Sequence, residues 1–167
     1  MKIRHGFVSN SSSASFIVNI DMEPDKFLDE IYGHFNFSIM SRKKFKEFIE
    51  NDNTKFKKYI EESKEREKDK KDTYHLTDIW RKDLKNHIIV NNRIIKNIGK
   101  MTDRQLTEAV LSYNHIHLHR RTKSCELISS TIMYNNAEDV PQLMQTIITH
   151  FAINHKDLFE VKALSDQ

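Results

Sequence analysis

Three glycines and two prolines in 167 residues leave this chain few places to turn. An all-β sandwich needs a turn signal about every ten residues, so that architecture is excluded. Ten Phe and five Tyr supply large side chains for a core, although apolar residues make up only 38% of the sequence and charged residues 31%. The length is that of one ordinary domain. These limits point to a helix-rich chain with a modest sheet.

The local patterns give an order of elements. Ser15-Phe16-Ile17-Val18-Asn19-Ile20 is apolar and β-branched and reads as a strand. Glu23-Pro24-Asp25 opens a helix, with proline near the first turn and acids at the positive helix end. Phe27, Leu28, Ile31 and Phe35 form its apolar stripe. Ser41 is a plausible N-cap for a second helix carrying Phe45, Phe48 and Ile49, and Asp52 or Asn53 for a third carrying Phe56, Tyr59 and Ile60. From Glu61 to Asp72 no residue is apolar. That run is either a solvated helix extension or a linker, and the like-charged pairs Glu61–Glu65 and Lys64–Lys68 weigh against the helix.

Helical spacing resumes at Leu76, Ile79, Trp80, Leu84, Ile88 and Ile89, and NHIIVNNRIIKNIGK fits helix or strand. Thr102-Asp103-Arg104-Gln105 has the form of a capping box. HIHLHRRT alternates, CELISSTIMYNN is β-rich, and Thr122-Lys123-Ser124 joins them as a hairpin. A helix from Glu138-Asp139-Val140-Pro141 and a strand at DLFEVKAL close the chain. The expected fold is a single α+β domain over 1–167, with a sheet of about four strands and a basic helical insertion at 41–100. The insertion holds 18 Lys+Arg against 11 Asp+Glu, so it carries +7 within a chain of net charge +3.

The stretch GFVSNSSSASFIV, residues 6–18, brackets a serine tract with apolar residues. A phosphate loop needs glycines for close backbone approach and a lysine for charge. Here Gly6 stands alone and no Gly-Lys-Ser follows. A short ordered turn with hydroxyls bonded to local backbone is the expected form. From Lys2 to Val18 the chain resembles the N-terminal signature of a scattered group of uncharacterised proteins from bacteriophages and prokaryotes. Gly6, Phe7, Ser9, Asn10, Ser11, Ser12, Ser13 and Phe16 carry that resemblance. Ala14 stands where the group has another serine. The resemblance covers about a tenth of the chain. It implies a phage-like context and no catalytic residue.

Three further features bear on chemistry. On a strand, His115, His117 and His119 would share one face, opposite Ile116 and Leu118. A His-x-His pair binds zinc when another element adds a third ligand, for which His150, His155, Glu126 and Asp139 are the nearby acceptors. The alternative is an exposed strand face, extended into a basic edge by Arg120 and Arg121. In the insertion, Lys43, Lys44, Lys57 and Lys58 interleave with aromatics, as in surfaces that neutralise phosphates and stack bases. The same aromatics have helical spacing, which reads as core. Cys125 is the sole cysteine, so no intrachain disulfide forms, in keeping with a reducing compartment.

No triad order, paired-carboxylate motif, phosphate loop or dinucleotide fingerprint is visible. The expectation is therefore a non-enzymatic, bacteriophage-type accessory or virion-associated protein that binds a protein partner. It would be cytoplasmic or part of a particle assembled there, with no signal peptide or membrane span. One alternative is a nucleic-acid-binding regulator using Lys43, Lys44, Lys57, Lys58, Arg120 and Arg121. Another is a metal-dependent enzyme at His115, His117 and His119, with zinc as the only cofactor considered.

Overall fold

The computed structural model describes residues 14–35, 41–69, 74–131 and 142–165. The signature residues Gly6 to Ser13, the Asn-Asn turn signal and Asp139 lie outside them, and of the signature's side chains only Phe16 is described. The described chain is α+β, with five α-helices and a four-stranded sheet. It divides into two units, one within residues 1–36 and 103–167, the other within 37–102. The segment read as a basic insertion falls in the second.

The first unit holds the sheet. Strand β1 (Ala14–Ile20) lies between β3 (Cys125–Thr131) and β4 (Phe159–Ser165), with β2 (Ile116–Arg120) outside β3. All pairings are antiparallel, and Val18 faces Leu127 on one side and Val161 on the other. The apolar start of the chain is thus a central strand. Its pleat buries Phe16, Val18 and Ile20, while Ile17 and Asn19 on the other face are half-buried. Cys125, Leu127 and Ser129 continue the buried face along β3.

Three helices supply the apolar cover within this unit. Helix α1 (Pro24–Phe35) begins at the proline, whose fixed φ suits a first helical residue. It buries Phe27, Leu28 and Ile31. Helix α4 (Asp103–Tyr113) starts directly after Thr102 and buries Leu106, Val110 and Leu111. Helix α5 (Gln142–Asn154) buries Met144, Ile147 and Phe151, and the Phe27 and Phe151 rings meet with centroids 5.8 Å apart. Each such side chain contributes about 2–3 kcal/mol by leaving water.

The second unit is a pair of long helices, α2 (Arg42–Asp69) and α3 (Tyr74–Asn97), followed by a 3-10 turn, Ile98–Lys100. Ser41 caps α2 as expected, its Oγ accepting from Lys44 N at 3.3 Å. The break expected at Asp52 or Asn53 is absent: α2 runs unbroken through both residues. One continuous 3.6-residue period then selects Phe45, Ile49, Asn53, Ile60 and Ser63 as its buried stripe. Phe48 and Tyr59, expected in the core of two shorter helices, are rotated off that stripe and lie exposed.

The charged run is helical through Asp69 despite its like-charged pairs. Small Ser63 occupies the buried stripe, and its hydroxyl donates to Ile60 O at 2.8 Å. One step on, Glu67 meets Arg81 of α3 at 2.6 Å, and Asp78 shares the same guanidinium. At the other end of the pair, Arg42 Nη1 donates to Ile98 O at 2.7 Å. The segment NHIIVNNRIIKN, which fitted helix or strand, is helix.

Candidate functional site

The sheet unit contains a cluster that no short motif announces. Glu30, on α1, presents both carboxylate oxygens to imidazoles from the far end of the chain. Its Oε2 lies 3.2 Å from His150 Nε2, and its Oε1 lies 2.7 Å from His155 Nε2. His150 is buried on α5, while Glu30 and His155 are half-buried. His155 follows the last turn of α5, where its N–H donates to Phe151 O at 2.8 Å and its carbonyl accepts from Leu158 N at 2.9 Å. Those two bonds hold the turn that returns its ring toward α1.

The rings are fixed on several sides. His34 stacks on His150 with centroids 3.8 Å apart, and Phe151 meets His150 edge-on at 5.3 Å. Asn154 Nδ2 lies 3.1 Å from His150 Nδ1 and 3.0 Å from His150 O. With Nδ1 accepting from the amide, the His150 ring donates through Nε2 to Glu30.

The histidine strand is arranged differently from the expectation. His115 precedes β2 and sits in a turn with φ of 61°, in the left-handed region. Only His117 and His119 lie on the strand, both exposed. His119 Nδ1 is 3.4 Å from Glu126 Oε1, which also accepts from Arg121 at 2.7 Å. Among the described residues, the group of three metal-competent side chains with ligand atoms within 4.8 Å of one another is Glu30, His150 and His155; it includes none of His115, His117 and His119.

The basic edge expected at Arg120 and Arg121 is compensated by acids. Arg120 bonds Asp25 at 3.1 Å and Glu108 at 2.9 Å. Arg104 grips Asp29 through two bonds, at 2.9 and 2.8 Å. That grip holds the Asp29 carboxyl below its ordinary range. These ion pairs tie α1, α4 and β2 together. Cys125 is buried, and burial pushes its thiol up to about 12, against a smaller opposing pull from Arg120. A thiol so raised is a core group and not a nucleophile.

The second unit exposes an unusual amount of large apolar surface for a helix pair. Ile79 is 60% exposed, Val90 50%, Phe48 45%, and Tyr59 and Trp80 43% each. The Tyr59 and Trp80 rings lie 6.0 Å apart, and Phe56 is 5.9 Å from His87. Both ring pairs join α2 to α3, the Tyr59–Trp80 pair on an exposed flank. Phe48 and Tyr59 are eleven residues apart on α2, about three turns, so they share that flank.

The lysines named from sequence spread around α2. At about 100° per residue, Lys44 lies near the Phe48–Tyr59 line, Lys43 and Lys57 point away from it, and Lys58 sits at its margin. Lys58 forms an exposed pair with Glu62 at 4.0 Å. No family model matches this chain, and neither does any curated protein or solved structure. Among the described residues, no helix is long and apolar enough to cross a membrane.

Proposed function

We propose that this is a non-enzymatic interaction protein that binds a protein partner through the exposed flank of the α2–α3 pair. The observation that carries the reading is the half-exposed Tyr59–Trp80 ring pair between α2 and α3, with Phe48 exposed three turns away on the same line of α2. Aromatic side chains in such positions are the usual anchors of protein interfaces, because they desolvate a large area at low conformational cost. The exposed aliphatic Ile79 and Val90 on α3 favour a protein surface as the counterpart. The N-terminal signature adds a phage-type accessory setting to this reading.

A second reading has its own observation. Lys44, Phe48, Lys55, Tyr59 and Arg66 recur at steps of four and seven along α2, a single line that alternates cation and aromatic. Such a line suits single-stranded nucleic acid, with bases stacked on the rings. Asp52 and Glu62 fall on the same line and oppose it. The residues involved differ from the six expected from sequence, since Arg120 and Arg121 are engaged by carboxylates.

Affinity capture from the producing cell tests the first reading, using wild type beside Phe48→Glu/Tyr59→Glu. A protein recovered in proportion by wild type and lost by the folded variant is expected. Equal recovery by both would overturn the reading. Retention of an oligonucleotide that collapses with rising salt would favour the second.

A further inference from the structure

We propose that Glu30, His150 and His155 bind a divalent transition-metal ion, zinc or ferrous iron, with coordination positions left open. The inference is independent of the reading of the helix pair. It rests on three ligand atoms from α1, α5 and the turn after α5 that already converge within 4.8 Å of one another.

The Glu30 separations come near what such an ion needs, one through each carboxylate oxygen. An ion with bonds of roughly 2.1 Å in tetrahedral array separates its ligand atoms by about 3.4 Å. Glu30 Oε2 and His150 Nε2 stand at 3.2 Å, close to that separation. Glu30 Oε1 and His155 Nε2, at 2.7 Å, must part by roughly half an ångström or more. Both are half-buried and close to solvent, so a small side-chain rotation suffices. His150, which is buried and stacked against His34 and Phe151, is the fixed member of the set.

The donor types narrow the ion. Two imidazoles and one carboxylate suit zinc and ferrous iron, while calcium and magnesium prefer an all-oxygen shell. Three protein ligands leave room for water or a substrate atom. Asn154 is the neighbour placed at His150 Nδ1, its Nδ2 3.1 Å away. With the ion on His150 Nε2, the ring proton sits on Nδ1 and calls for an acceptor, so the Asn154 side chain, which donates to His150 O at 3.0 Å, would have to give up that bond to offer Oδ1.

The full-length protein is titrated with zinc chloride, and anaerobically with ferrous sulfate, by calorimetry. Cobalt(II) absorption serves as a probe of the ligand field. One ion per chain is expected, with binding weakened by roughly 100-fold or more in Glu30→Gln and His155→Ala. His117→Ala is expected to bind as wild type does. Unchanged affinity in Glu30→Gln and His155→Ala, or loss in His117→Ala alone, would overturn the site. Should His155→Ala fail to fold, Glu30→Gln and the wild-type titration still decide: an absence of saturable binding of all three ions refutes the proposal.

Discussion

Asn91 donates its side-chain amide to Asn53 Oδ1 at 2.9 Å, in the buried seam between α3 and α2. Asn53 in turn donates to Asn92 Oδ1 at 3.0 Å, so a small polar chain crosses the seam. A buried amide pair of this kind fixes the register of two helices at some cost in stability. Asn53→Ala leaves the Asn91 amide unpaired and is expected to destabilise by about 1–3 kcal/mol. Asn53→Leu/Asn91→Leu is expected to recover or exceed wild-type stability with a less specific helix pairing. Urea denaturation with amide exchange checks both. A double variant weaker than the single would contradict the register role.

Much of the sheet unit was legible because its signals are local. The apolar, β-branched run of β1, the proline at the head of α1, the β2–β3 hairpin and the apolar stripe of α5 each lie within sixteen residues. The helix pair was less legible. Asn53 looked like a cap for a new helix, and only the partner amides of Asn91 and Asn92, nearly forty residues away, make it a buried seam residue. That misplaced break put Phe48 and Tyr59 in the core. The like-charged pairs after Glu61 left helix and linker both open and weighed against helix, yet Glu67 is answered by Arg81 from the next element. The Glu30 cluster left no spacing signal, since its histidines are 120 and 125 residues away in sequence. His-x-His-x-His was the visible motif, but a turn at His115 divides it.

Cys125 is expected to resist alkylation in the native protein. Its thiol is raised from 9.0 to about 12 by burial, so almost no thiolate exists near pH 8. A raised folded-state value means the neutral form is favoured by folding. The stability contribution is complete below pH 9 and is lost as pH rises from 9 toward 12. Iodoacetamide labelling is expected to be slow in buffer and fast in denaturant. Comparable rates in the two would contradict the buried placement.

Asp52 is expected to oppose folding of the helix pair at neutral pH. Burial raises its carboxyl above the ordinary value, and Lys55 offsets only part of that shift. The folded state holds the proton more tightly than the unfolded chain, so stability falls as pH rises through the raised value. Asp52→Asn is expected to raise the melting temperature at pH 7, with the difference vanishing below the unfolded-state value of 3.8. A gain that persists undiminished at pH 3 would assign the effect to something other than the charge.

Photo-crosslinking from two positions on α2 tests the role of the exposed flank most directly. A photoreactive side chain replaces Tyr59, beside Trp80, in one sample. In the other it replaces Lys57, two residues away and facing the opposite direction on the same helix. Both proteins are produced in the native cell and irradiated there. A discrete covalent adduct with a single protein is expected from position 59 and not from position 57. The same adducts from both positions, or none from position 59 while the protein is folded, would contradict binding through this flank.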